Sequence, residues 1–212
     1  MEHKFTISEV FSTSWKSLKE QIWVLVGLFI GYMILSMMLS MFVMPAQGSI
    51  TGSVIVNLLL WIFGGIFMLG YLKNIFQALD GEEPQFSAYG QQARKIITYL
   101  ITSLLVSLAV IIGTAFLIIP GIYLALRLQY SLTFIVEENT GIIDSIKRSW
   151  EITQGQVIKL LLLALTMIGI AIVGIILFGI GILVAVPLIY TMYCYSFRKL
   201  NTLDLTSTNA TL

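Results

Sequence analysis

The sequence is short of charge, cysteine, histidine and polar loops, and each shortage closes off a class of function. Only 11% of its 212 residues are charged, against about 25% in a soluble domain. Too few charges remain to solvate a globular surface, so lipid is the solvent for most of the chain. One cysteine, Cys194, excludes an intrachain disulfide. One histidine, His3, excludes a histidine–cysteine metal centre. A net charge of +1 argues against nucleic acid as a partner. The GxSxG, HExxH and P-loop motifs are absent, and so are paired carboxylates within the apolar runs. The chain is therefore expected to be no enzyme and to carry no metal or cofactor. The first twenty residues lack the apolar core and cleavage site of a signal peptide, so the first apolar segment is expected to stay as an anchor.

What is present is apolar: 58% of the residues are hydrophobic. Crossing a bilayer takes roughly 17–25 apolar residues. Runs of about that length fall at 22–44, 54–72, 96–119, 122–136, 157–178 and 182–196, the fourth and sixth being the shortest. They are continuous rather than alternating, which fits helices that satisfy their own backbone groups in lipid and not barrel strands. Pro120-Gly121 and Gly179–Gly181 read as tight turns. The expected fold is an all-α bundle of six membrane spans, with residues 1–200 forming one integral membrane domain. The tail 201–212, rich in Thr, Asn and Ser, reads as disordered.

Basic residues orient this bundle. Lys4, Lys16, Lys19, Lys73, Arg94, Lys95, Lys147, Arg148, Lys159, Arg198 and Lys199 all fall on one side of a six-span arrangement. The positive-inside rule places that side, and both termini, in the cytoplasm.

Amphipathic segments precede the spans. In 7–20, Ile7, Val10, Phe11, Trp15 and Leu18 share a helical face, and Thr6 with Glu9 has capping-box spacing. In 142–153, Ile143, Ile146 and Trp150 are apolar, whereas Asp144, Lys147, Arg148 and Glu151 are polar. Both segments are expected to lie in the membrane interface, with Trp15 and Trp150 as anchors. A shift of 135 positions aligns them, pairing Ser14-Trp15 with Ser149-Trp150 and Gln21 with Gln156. With the weaker segment 86–95, the chain reads as an interfacial helix plus a hairpin, in two or three copies.

The stretches IIPGIYLAL, SIKRSWEIT, GIGILVAVP and ISEVFSTSW together resemble the bacterial families grouped around the glycerophosphodiester phosphodiesterase membrane domain. The resemblance spans about residues 6–199. It implies a six-span protein of the bacterial cytoplasmic (inner) membrane. It carries no phosphodiesterase chemistry, because the soluble domain and its histidines are missing here.

Arg127 is the most informative single residue. It lies six positions after Gly121 and ten before Glu137, which puts it near mid-membrane. Arginine there costs about 2.5–3.5 kcal/mol on insertion scales, and no nearby carboxylate is available to pair with it. Tyr123, Tyr130 and Ser131 share its face at i−4, i+3 and i+4. Two readings stand: an anion, lipid-headgroup or polar-cavity site, or structural bonding to neighbouring helices. Two functions follow, a non-enzymatic protein that binds or organises membrane lipids or partner membrane proteins, and a small transporter or channel with a polar path at Arg127. Elsewhere, Gly27 and Gly31 form a GxxxG expected to pack internally. Asn57 is expected to bond a neighbouring helix. Tyr190, Tyr193 and Tyr195 are expected to form an aromatic belt, and the loop acids are expected to be solvated.

Overall fold

The structure, a computed structural model, describes residues 5–43, 49–177 and 179–209; Lys4 and part of the first outer loop lie outside them. Among the described residues it is helical and has no strand. The helices are α1 (Ile7–Glu20), α2 (Ile22–Val43), α3 (Ile50–Leu79), α4 (Ser87–Ala93), α5 (Ile96–Phe116), α6 (Ile118–Leu128), α7 (Ser131–Glu138), α8 (Ile142–Ile152), α9 (Val157–Ile176) and α10 (Ile182–Asn209).

Among the described residues five helices, not the expected six, are long and apolar enough to cross a membrane: α2, α3, α5, the α6–α7 pair and α9. The exception is α10, and its position explains its polarity. Leu188, Thr191, Met192, Cys194, Ser196, Phe197 and Leu200 are all buried in protein. A helix surrounded by other helices can carry hydroxyls and tyrosines that a lipid-facing helix cannot. It also runs on to Asn209, into the tail that composition marks as disordered. Near that end Leu200 is buried and Asn201 bonds Glu138 (2.5 Å) and Arg148 (3.3 Å).

Three units of short helix plus hairpin build the bundle. They are α1–α2–α3, α4–α5–α6/α7 and α8–α9–α10. Each short helix packs on the returning arm of the unit before it: α4 on α3, α8 on α7, and α1 on α10, which closes the ring. The repeat read in the sequence is visible in burial. Val10, Ser14 and Leu18 of the first unit and Ser145, Ser149 and Thr153 of the third are all fully buried, and each pair is 135 positions apart. These residues form the docking faces. Phe11 and Trp15, stacked at 6.5 Å, and Ile143 and Trp150 are left on the outer side. An apolar edge opposite a bundle-facing edge suits a helix lying in the membrane interface. Thr6 caps α1 as expected, accepting from the Glu9 N–H at 3.2 Å.

The returning arms meet at the centre. Phe197 of α10 packs against Phe134 of α7 (4.8 Å) and Phe76 of α3 (5.9 Å), one phenylalanine from each unit. Beside them, Arg198 pairs with Asp80 of α3's C-cap and with Glu137 of α7 (2.6 Å). Glu137 also faces Lys73 (3.8 Å), and Arg148 pairs with Glu138. Asp80, Glu137 and Glu138 are thus ties between units and not merely solvated loop charges. Tyr190, Tyr193 and Tyr195 also turn inward instead of forming a belt. Tyr193 donates to the Gln129 carbonyl, Tyr190 packs edge-on against Tyr71 (5.8 Å), and Tyr195 bonds Glu9 (3.1 Å).

The turns of the hairpins differ. The turn before α6 is made at Leu117, which is extended (φ −163, ψ 149), and Pro120 sits in the first turn of α6, where its missing N–H costs nothing. Gly121 then lies inside α6 and meets Gly113 and Thr114 of α5 backbone to backbone. Gly174 and Gly181 do the same for α9 and α10. The first hairpin has no such pair. A Cβ on Gly27 or Gly31 would meet nothing within 4 Å, so the GxxxG is not packed internally. Asn57 likewise bonds its own helix, at the Ser53 carbonyl (2.7 Å).

Candidate functional site

The site forms where α6 breaks. A straight helix would continue through Gln129, but here the last carbonyls of α6 are taken by side chains instead. Leu126 O accepts from Gln129 Nε2 (3.1 Å), and Leu128 O from Ser131 Oγ (2.8 Å). Arg127 O accepts from Ser149 Oγ (2.9 Å) and Thr153 Oγ1 (3.2 Å) of α8. Gln129 O accepts from the Tyr193 hydroxyl of α10. Ser149 Oγ in turn accepts the Tyr130 N–H at 3.1 Å. A break inside an apolar protein survives only if neighbours satisfy the freed groups, and α8 and α10 supply those neighbours.

This break places Arg127 beside α8. The residue is only 3% exposed. Its guanidinium lies 4.2 Å from the Trp150 ring centroid and 5.9 Å from that of Tyr123, and the two rings meet edge to face at 5.9 Å. Arg127 therefore packs against a short amphipathic helix. Its Nε is buried without a hydrogen-bond partner. No carboxylate among the described residues pairs with it. Stacking on an indole that keeps 39% of its exposure contributes about 1 kcal/mol, but the rings cover the guanidinium face and leave its Nε without an acceptor.

Of the three residues expected to share Arg127's face, the structure brings only Tyr123 to it. Tyr130 points into the core, where its hydroxyl bonds Ser196 Oγ (2.7 Å) and its ring packs on Tyr193 (5.1 Å). Ser131 Oγ is spent on the backbone of its own turn. The i+3 and i+4 relation fails because the helix ends between them. The residue the sequence reading missed at this site is Trp150, which was assigned only as an anchor. Trp15 stacks on Phe11 of α1, and the rings at Arg127 are Trp150 and Tyr123.

No metal-binding cluster of His, Cys, Asp or Glu occurs among the described residues. The cavities that stand out in the bundle lie elsewhere. One of about 380 Å³ lies between α2, α3 and α4, and a second of about 460 Å³ lies between α2, α3 and α10. A third, of about 310 Å³, is lined by Tyr99, Met167, Tyr190 and Tyr193. Arg127 lines none of the three.

The chain is similar to uncharacterized proteins of Mycobacterium tuberculosis (Rv2560) and Mycobacterium bovis (Mb2590). Each is 25% identical to it over 132 residues, which make up 62% of this chain and 40% of the relative. The chain thus spans about two fifths of the length of the curated relatives it matches. No solved structure matches it. Nothing in these matches links the chain to the glycerophosphodiester phosphodiesterase membrane-domain families that its motifs resemble. The model of a domain of unknown function, DUF7847, matches residues 86–211, which take in the second and third units of the bundle. With more than half its length matched, the chain belongs to the DUF7847 family.

Proposed function

We propose that this protein is a non-enzymatic membrane protein that binds anionic lipids, holding a lipid phosphate against Arg127. The observation that carries this reading is a buried guanidinium with covered faces, an unpartnered Nε and no carboxylate partner. An unpaired buried cation is costly. A phosphate oxygen at the free edge would lift that cost and accept a charge-assisted bond. Trp150 and Tyr123 suit headgroup depth, where aromatic rings with a polar tip concentrate. Arg127 lines none of the three cavities described above, which favours binding over a transport path.

Native mass spectrometry of co-purified lipid, run beside melting curves, tests this for wild type, Arg127→Ala and Arg127→Lys. Arg127→Ala should stay folded and lose its bound anionic lipid. Arg127→Lys should retain little of it, because lysine keeps the charge but not the planar fork. Unchanged lipid retention with a lowered melting temperature would show that Arg127 is structural.

The same reading places α10 across the bilayer within its sheath of apolar helices, as the sixth span, and puts the charged end and both termini in the cytoplasm of a bacterial cell. The concentration of ion pairs at one end of the bundle supports it. In a background lacking Cys194, cysteines at Arg94 and Lys147 should react with an impermeant reagent only from the cytoplasmic side. One at Ile180 should react only from outside. External labelling at position 94 or 147 contradicts this orientation.

A further inference from the structure

The open first hairpin has a use that the closed ones do not. The cavity of about 380 Å³ is bounded by α2 at Gly27 and Gly31, by α3 at Phe63 and Phe67, and by Tyr89 of α4. Its walls are aromatic: Tyr32 stacks on Phe67 at 3.9 Å and on Phe63 at 5.8 Å. It runs beside the least buried span, with 6% of the α2 window buried against 17% or more in each of the others.

We propose that this groove binds one acyl chain of a bilayer phospholipid. Three features choose that occupant. The groove is continuous with the exposed apolar side of the bundle, since Leu35 lines it and is 53% exposed, next to Ile34 and Met38. Its lining carries no charged side chain, which suits a hydrocarbon chain. It also shares Tyr32 and Phe67 with the inner cavity of about 460 Å³, a path a thin flexible chain can follow and a helix cannot. At the α4 end, Tyr89 closes the groove, its ring packed on Phe67 at 5.7 Å and its hydroxyl turned to Asn74. This site is separate from Arg127, so either can fail without the other.

The test uses the full chain in vesicles of phosphatidylcholine with a minor fraction carrying a photoreactive diazirine in one acyl chain, with adducts mapped by mass spectrometry. Wild type should label chiefly on α2 and α3 around Phe63 and Phe67. Gly31→Leu fills the groove from a position where an added Cβ meets nothing, so it should keep the melting temperature and bring that labelling down to the level of the other spans. Gly27→Leu is the independent second filler, and Arg127→Ala should leave the labelling unchanged. Adducts spread evenly over α2, α5 and α9, or unaffected by both fillers, would overturn the proposal. So would a wild-type dimer, cross-linked through α2, that Gly31→Leu abolishes.

Discussion

Arg198→Ala should destabilise the protein by about 2–3 kcal/mol and lower its melting temperature accordingly. Removing one partner of a fully buried pair costs about 3–5 kcal/mol. The lower figure applies because the Arg198 and Glu137 side chains keep 27% and 20% of their exposure. Arg198 bonds Asp80 through both guanidinium nitrogens, reaches Glu137, and lies over the Phe76 ring at 4.8 Å. One side chain on the third unit thereby ties the end of the first to the end of the second. Alanine leaves Glu137 with only the 3.8 Å Lys73 contact. The pH dependence identifies the cause. The hydrogen bond from Arg198 holds the Asp80 carboxyl below its ordinary 3.8, and Lys199 likewise holds Glu9 below 4.5. An acid with a depressed folded-state value contributes stability above its unfolded value and loses it as pH falls through the folded one. The gap between wild type and Arg198→Ala should therefore be constant from neutral pH to about 5 and narrow below about 4. Thermal melts in lipid discs across that range provide the measurement. A gap absent at neutral pH would mean that the units are held by the phenylalanine cluster alone.

The parts of this fold that the sequence revealed are those specified by near neighbours. The bounds of α1 follow from the Thr6 cap and the spacing of Ile7, Val10, Phe11, Trp15 and Leu18, of which Val10 and Leu18 dock on the bundle. The third unit then follows by a fixed shift, because the same docking positions recur in α8. What stayed hidden depends on residues far along the chain. The break after Leu128 is stabilised by Ser149, Thr153 and Tyr193, none of which is within a turn or two of it. That break separates Arg127 from Tyr130 and Ser131, and the packing of α8 on α6 brings Trp150 to the guanidinium instead. Hydropathy also cannot tell which polar groups of a helix will be covered by its neighbours, and Thr191 and Ser196 of α10 are buried by helices from elsewhere in the chain. The GxxxG misled for a related reason. Small residues permit a close approach but do not compel one, and only the partner helix decides. In the second and third hairpins the partner also presents a glycine. In the first it presents Phe63 and Phe67, and a groove results.

That distinction among glycines gives the other large expected effect. Gly121→Ala should cost about 3 kcal/mol, at the upper end for overpacking a filled site. A methyl group there would lie 2.8 Å from the Thr114 Cα, which is backbone and cannot rotate away. It would also strike Thr114 Oγ1, which is already committed to the Val110 carbonyl at 2.8 Å. The gain in helix propensity, up to about 1 kcal/mol for Gly to Ala, offsets only part of this. Gly174→Ala should cost less, since its nearest contact is the Ala185 methyl at 2.9 Å, with the Gly181 carbonyl carbon at 3.2 Å. Gly27→Ala should cost nothing measurable, because its Cβ would meet open space. Adding Thr114→Ser to Gly121→Ala keeps the clash with the main chain and should recover little. Prising α5 from α6 also moves the start of α6 and hence the register of Arg127 over Trp150. Gly121→Ala should therefore lose bound anionic lipid along with stability, whereas Gly174→Ala should lose stability alone. Melting curves and native mass spectra for the three alanine variants would decide the matter. Equal melting temperatures across the series would mean that the helices separate freely, and that these glycines do not close the hairpins.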